Sequence, residues 1–129
     1  YSGTPLPKKL GIKAGHTVLL LGAPEDFEST LGSLPEDVRL TSRSGKPVEL
    51  VILFAKSRAD LAKRFAGAVK TMAEGGGLWI GWPKKASGVV TDLTESDVRG
   101  TGLNAGLVDY KICAIDHTWS GLKFARRRG

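Results

Sequence analysis

VLLLGAPEDF, residues 18–27, decides how the chain is read. An unbroken apolar run ending in glycine is the pattern of a strand buried on both faces of a parallel sheet, and a helix is expected to follow. Pro24 suits a first helical position, and Glu25 and Asp26 suit the positive end of the helix dipole. Phe27 and Leu31 give that helix an apolar face, and Leu34 with Pro35 ends it. Strand, glycine and helix start also open a phosphate-binding loop. Here Gly22 stands alone: Ala23, Pro24 and Glu25 add side chains or remove an N–H. Two carboxylates fill the field that would attract a diphosphate, so the stretch reads as a capped helix packed on a sheet.

Upstream, YSGTPLPKKLGIKAGH (residues 1–16) carries two prolines and three glycines and reads as an irregular arm. Downstream, strands are expected at residues 38–42 (VRLTS) and 48–55 (VELVILFA). Ser57 and Asp60 have capping-box spacing, and Leu61, Phe65, Val69 and Met72 recur at helical spacing until Gly75, Gly76 and Gly77 stop the helix. LWIGW (78–82) is a further strand ended by Pro83. Thr94 and Asp97 form a second capping-box pattern, with Leu93 and Val98 as a staple, for a helix running to about Asn104. LVDYKICAI (107–115) and GLKFARR (121–127) are two strands joined by DHTWS, a loop of hairpin length. Strands alternating with helices imply a three-layer, Rossmann-like α/β domain with a mostly parallel sheet of about six strands, one antiparallel strand closing its C-terminal edge.

Composition narrows the function classes. With 129 residues, 41% of them hydrophobic and 25% charged, the chain has the apolar content of one ordered domain. The single cysteine, Cys113, can form no internal disulfide and no paired metal motif, which fits a reducing, cytoplasmic compartment. No apolar run approaches the ~20 residues of a membrane helix, so no membrane partner is expected. The net charge of +6 includes a basic tail at residues 126–129. Lys56, Arg58, Lys63, Arg64 and Lys70 lie on or beside one amphipathic helix, where exposed positions are ordinarily charged. With no recognition motif beside them, they argue against specific nucleic-acid recognition and allow only weak non-specific attraction.

In open parallel sheets, ligands collect beyond the carboxyl ends of the strands. That rule selects WPKKASGVVTD (82–92), where Lys84 and Lys85 offer charge, Ser87 and Thr91 hydroxyls, and Gly88 close backbone approach. The hairpin loop should bring Asp116, His117 and Trp119 to the same rim, adding a carboxylate, a titratable imidazole and an aromatic surface. Gly22 completes the set at the end of the first strand. Asp116 and His117 are adjacent in a tight loop and tend to point apart, which disfavours an acid/base pair. His16 falls at the opposite end of the sheet, and Cys113 sits inside an apolar strand. Trp79 and Trp82, three apart on one strand, face opposite sides.

EGGGLWIGWPK, a helix, GLNAGLVD and a strand hairpin together resemble the second half of Rossmann-like S-adenosylmethionine-dependent methyltransferases. YSGTPLPKKLGIK, WPKKASGVVTDLTE and CAIDHTWSGLKF are similar to the hallmark segments of a small uncharacterised bacterial family of unknown function. The methyltransferase resemblance implies a glycine-rich loop after the first strand, a ribose-binding carboxylate after the second and Asp or Asn after the third. This chain has Gly22 alone, then Thr41, Ser42 and Arg43, then Phe54, Ala55 and Lys56. The resemblance therefore implies a degenerate fold, and the cofactor is left open. The reading that follows is a non-catalytic domain binding an anionic small molecule or a partner. A divergent methyltransferase and an interaction module are its alternatives, and the oligomeric state is not set by the sequence.

Overall fold

The computed structural model describes residues 3–127. Six strands, β1 (Thr17–Leu21), β2 (Arg39–Thr41), β3 (Val48–Phe54), β4 (Met72–Pro83), β5 (Leu107–Ala114) and β6 (Trp119–Arg126), form one mixed sheet. Its order is β2-β1-β3-β4-β6-β5. The first four strands are parallel, and β6 runs antiparallel to both β4 and β5. The antiparallel strand thus lies inside the sheet, and β5 takes the edge expected for it. Burial explains the choice: β6 brings Leu122 and Phe124 to the core, whereas β5 carries exposed Tyr110, Lys111 and Ile112, which suit a solvent-facing edge.

Helices α1 (Leu6–Leu10), α2 (Phe27–Leu31), α3 (Arg58–Thr71) and α4 (Glu95–Asn104) cover both faces. One face packs Leu10, Ile12, Phe27 and Leu31 on Leu50, Ile52, Phe54 and Trp79. The other packs Leu61, Ala68 and Val98 on Val51, Leu53, Ile80 and Phe124. The crossovers dictate this split. The step from β1 to β2 and the step from β3 to β4 move in opposite directions across the sheet, so two right-handed crossovers put α2 and α3 on opposite faces. Trp79 and Trp82 divide between the faces as their spacing requires. Close approach of α4 depends on Gly102, where a Cβ would fall on the Phe124 ring.

Local chemistry corrects several boundaries. The arm at residues 1–16 contains α1: Pro7 sits in its first turn, where its missing N–H costs nothing, and Gly11 closes it at φ 84°. Trp79 Nε1 then donates to Leu10 O at 2.8 Å, anchoring the arm on the sheet. The helix expected from Pro24 begins only at Phe27, because residues 24–26 form a turn in which the Phe27 N–H donates to Pro24 O at 3.1 Å. At α3, the Ser57 side chain accepts the Asp60 N–H, but the Asp60 carboxylate reaches the Lys56 N–H instead of completing the box. Met72 leaves α3 and starts β4, ahead of the glycines expected to stop the helix. Arg126, expected in the tail, ends β6 and donates to the carbonyls of Val69 and Met72 at 2.8 and 2.7 Å, capping the end of α3. Arg127 is exposed beyond the strand, and residues 128–129 of the expected tail lie outside the described residues. Among the described residues, no helix is long and apolar enough to cross a membrane.

Candidate functional site

The carboxyl ends of β1, β3, β4 and β5 share one rim. Pro83 pairs with Trp119, and the Lys84 N–H donates to Thr118 O at 2.7 Å, so the lysine turn and the hairpin loop lie side by side. Lys84 is half-buried, and Lys85 opens an exposed 3-10 turn, Lys85–Ser87.

The rim's other polar side chains hold its backbone. Ser87 Oγ donates to Lys84 O at 2.6 Å and accepts the Val89 N–H at 3.2 Å. Thr91 Oγ1 accepts the Leu93 N–H at 3.1 Å. Asp116 Oδ1 accepts the N–H groups of both Thr118 and Trp119 at 2.8 Å. These are the short-range bonds by which Ser, Thr and Asp build turns. His117 stays exposed at the loop tip. Trp119, expected as a loop residue, instead starts β6. It is 5% exposed, with its ring 5.0 Å from that of Phe54 at 86°, an edge-on core contact.

A cavity of about 330 Å³ opens on the α4 side of this rim. Its floor is Trp82, Pro83 and Leu93, and Lys85 and Thr91 stand on its walls with Asp92, Thr94 and Glu95. Two of the sequence-selected residues, Lys85 and Thr91, therefore line it, and Lys84 joins it to the hairpin carrying Asp116 and His117. Gly22 lies apart, and Trp119, though paired with Pro83, packs its ring in the core on the face opposite Trp82. Glu95 escaped sequence reasoning, and Trp82, inside the selected stretch 82–92, reads from sequence only as a strand residue; the available signal was a tryptophan followed at once by a strand-ending proline, opposite a helix start. The N-terminal turn of α4 is firmly built, with Thr94 and Asp97 making the full capping box. Burial pushes the Asp97 carboxyl up, but the hydrogen bonds from Thr94 and the Arg58 guanidinium prevail and hold it below the ordinary carboxylate value. Asp92 accepts the Arg58 N–H at 2.7 Å. The cavity thus offers one cation, two carboxylates and an indole floor.

Gly22 marks the point where strand order reverses, between β1 and β3. Its φ is +67°, and a Cβ there would come within 2.7 Å of Phe54 O and 2.9 Å of the Arg64 guanidinium. Arg64 reaches back to Phe54 O at 3.5 Å and lies 4.0 Å from Asp60. Close strand packing, with an arginine laid across the crevice, accounts for this glycine. A shallow cavity of about 380 Å³ lies beyond it, edged by Glu25, Glu28 and Ser42. Of the basic residues around α3, Arg58 and Arg64 already face carboxylates. Among the described residues, no three metal-ligating side chains cluster.

Fold and rim together define the class: an α/β protein with a six-stranded mixed sheet and a cavity where its parallel strands end. The chain belongs to the DUF3052 family, proteins of unknown function, whose sequence profile matches residues 7–128. No curated protein matches the chain.

Proposed function

We propose that this protein is a non-catalytic, Rossmann-like domain that binds a small metabolite at the carboxyl rim. The observation that carries the proposal is the join between the Lys84 N–H and Thr118 O beside the cavity floored by Trp82. In this reading Lys84 and Lys85 attract an anionic group, and Trp82 covers an apolar part. Glu95 takes hydroxyl or amine donors on the far wall. Because Ser87, Thr91 and Asp116 hold the backbone, they shape the site rather than bind through their oxygens. A saturation-transfer NMR screen of phosphorylated and carboxylated metabolites tests it. Hits are expected to vanish in a Lys84→Ala, Lys85→Ala variant, and hits indifferent to that change would discredit the rim.

A second reading, a divergent S-adenosylmethionine-dependent methyltransferase, draws support from the parallel half-sheet with an inserted antiparallel strand. Against it stand Thr41, Ser42 and Arg43 where a ribose-binding carboxylate is needed, and the Arg64 side chain at the strand-order reversal. Calorimetry decides: no heat with the cofactor at about millimolar concentration, a weak-binding limit near 4 kcal/mol, removes it.

A further inference from the structure

A further cavity, of about 380 Å³, opens at the opposite rim, where β4 bulges beside α1 and the β5–β6 pair. Between Val48 and Leu50 on β3, the partner strand β4 advances from Met72 to Gly77, and the surplus chain carries Gly75 and Gly76 along the cavity wall. Lys13, Lys123 and Tyr110 line it with them. Room for Lys123 is made by glycines. A Cβ on Gly77 would lie 2.7 Å from Lys123 Cε, and one on Gly11 would lie 2.7 Å from its Nζ.

The half-buried Lys123 ammonium donates to Leu10 O at 3.2 Å and lies 5.7 and 5.6 Å from the ring centres of Trp79 and Tyr110. These contacts suit a charged ammonium, and one carbonyl does not use all three of its donors. Among the described residues, Lys123 pairs with no carboxylate. Lys111, paired with Lys123 across the strands, donates to Lys9 O, and Lys9 reaches Ala114 O at the far end of β5, outside the cavity. Two carboxylates also line the cavity, Glu49 and Glu74, and Glu49 Oε1 already accepts the Thr17 N–H at 2.6 Å. Burial, with repulsion from Lys111 and Lys13, draws the Lys123 pKa down. Desolvating a cation beside other cations is unfavourable, and neither Glu49 nor Glu74 pairs with Lys123 to offset it.

We propose that this cavity binds the phosphoryl group of a small molecule, Lys123 and Lys13 supplying the charge and the glycine bulge admitting it close to the backbone. Lysine serves phosphate as a point charge; at Gly75 nothing lies within 4 Å of a Cβ position, so the backbone there is open to a tetrahedral anion, whereas Gly76 packs on the carbonyls of Glu49 and Ala73 and Gly77 on the Lys123 stem. The concavity and the partial burial of Lys123 favour a small ligand over a nucleic-acid strand.

Calorimetry of the full chain with inorganic pyrophosphate at low ionic strength tests this independently of the carboxyl rim. Saturable binding is expected in the parent chain and in the Lys84→Ala, Lys85→Ala variant, and it should weaken at least about tenfold in Lys123→Met, which keeps the apolar stem. Absence of saturation below about 10 mM pyrophosphate, or equal affinity in Lys123→Met, overturns the proposal. Should Lys123→Met fail to fold, Gly77→Ala keeps every charge and displaces the lysine stem. The same weakening is then expected, and undiminished affinity overturns the proposal.

Discussion

At the carboxyl rim, Ser87, Thr91 and Asp116 turn their oxygens onto backbone groups two or three residues away. On the α1 side of the sheet, Lys9, Lys111 and Lys123 reach carbonyls more than a hundred residues distant in sequence, Lys123 from within the amino-rim cavity. The contrast separates two uses of a polar side chain. Short-range bonds set the shape of a turn and satisfy backbone that would otherwise be stranded. Long-range lysine bonds tie separate elements together, and at Lys123 one leaves an ammonium in a concave surface without a carboxylate partner among the described residues. A loop rich in Ser, Thr and Asp can therefore resemble a binding site while serving mainly as its frame.

Substitutions can break that contrast, beginning with the residue whose assignment moved furthest. Trp119→Ala should destabilise the fold by about 3–5 kcal/mol in urea denaturation, because a buried indole leaves a cavity beside Phe54. A cost below about 1 kcal/mol would return Trp119 to the surface role that its place near the hairpin suggests. Asp116→Ala should cost about 1–2 kcal/mol by the same measurement, since two N–H groups lose their acceptor, and Asp116→Asn should recover most of it. A stability equal to the parent's would show that the carboxylate is not framing the turn.

The smallest effect appears only in acid. The Arg99 hydrogen bond holds the Asp109 carboxyl below its ordinary value of 3.8, burial opposing it, and the two side chains meet at 2.9 Å to tie α4 to β5. A depressed carboxylate contributes stability that is complete above its unfolded pKa and lost as pH falls through the folded one. The parent should therefore lose stability more steeply than Asp109→Asn as pH drops below about 4. Parallel acid melting curves would show that the bond adds nothing.

Much of the architecture was legible because it rests on local pattern. The unbroken runs at β1 and β3 announced parallel strands, the spacing of Leu61, Phe65 and Val69 announced α3, and Thr94 with Asp97 announced the start of α4 to the residue. What escaped depended on tertiary choice. Nothing in VRLTS or KICAI says which strand takes an edge; the apolar content of β6 decided that against its neighbour. The prolines that suggested an irregular arm are compatible with α1 once Leu10 finds Trp79. For the site, the shared rim followed from strand direction. Trp119 was misplaced because one residue of hairpin length separates a loop tryptophan from a core one. Lys123 was invisible: an alternating strand lysine reads as solvent-facing until α1 and the glycine bulge close around it.

The most direct test of the carboxyl-rim proposal is amide NMR of the full chain, titrated with the strongest metabolite from the screen. The account predicts shifts concentrated at residues 82–95 and 115–118 that disappear in the Lys84→Ala, Lys85→Ala variant while the rest of the spectrum stays folded. Shifts confined to residues 73–77, 110 and 123, or shifts at the lysine turn that survive the double substitution, would contradict it.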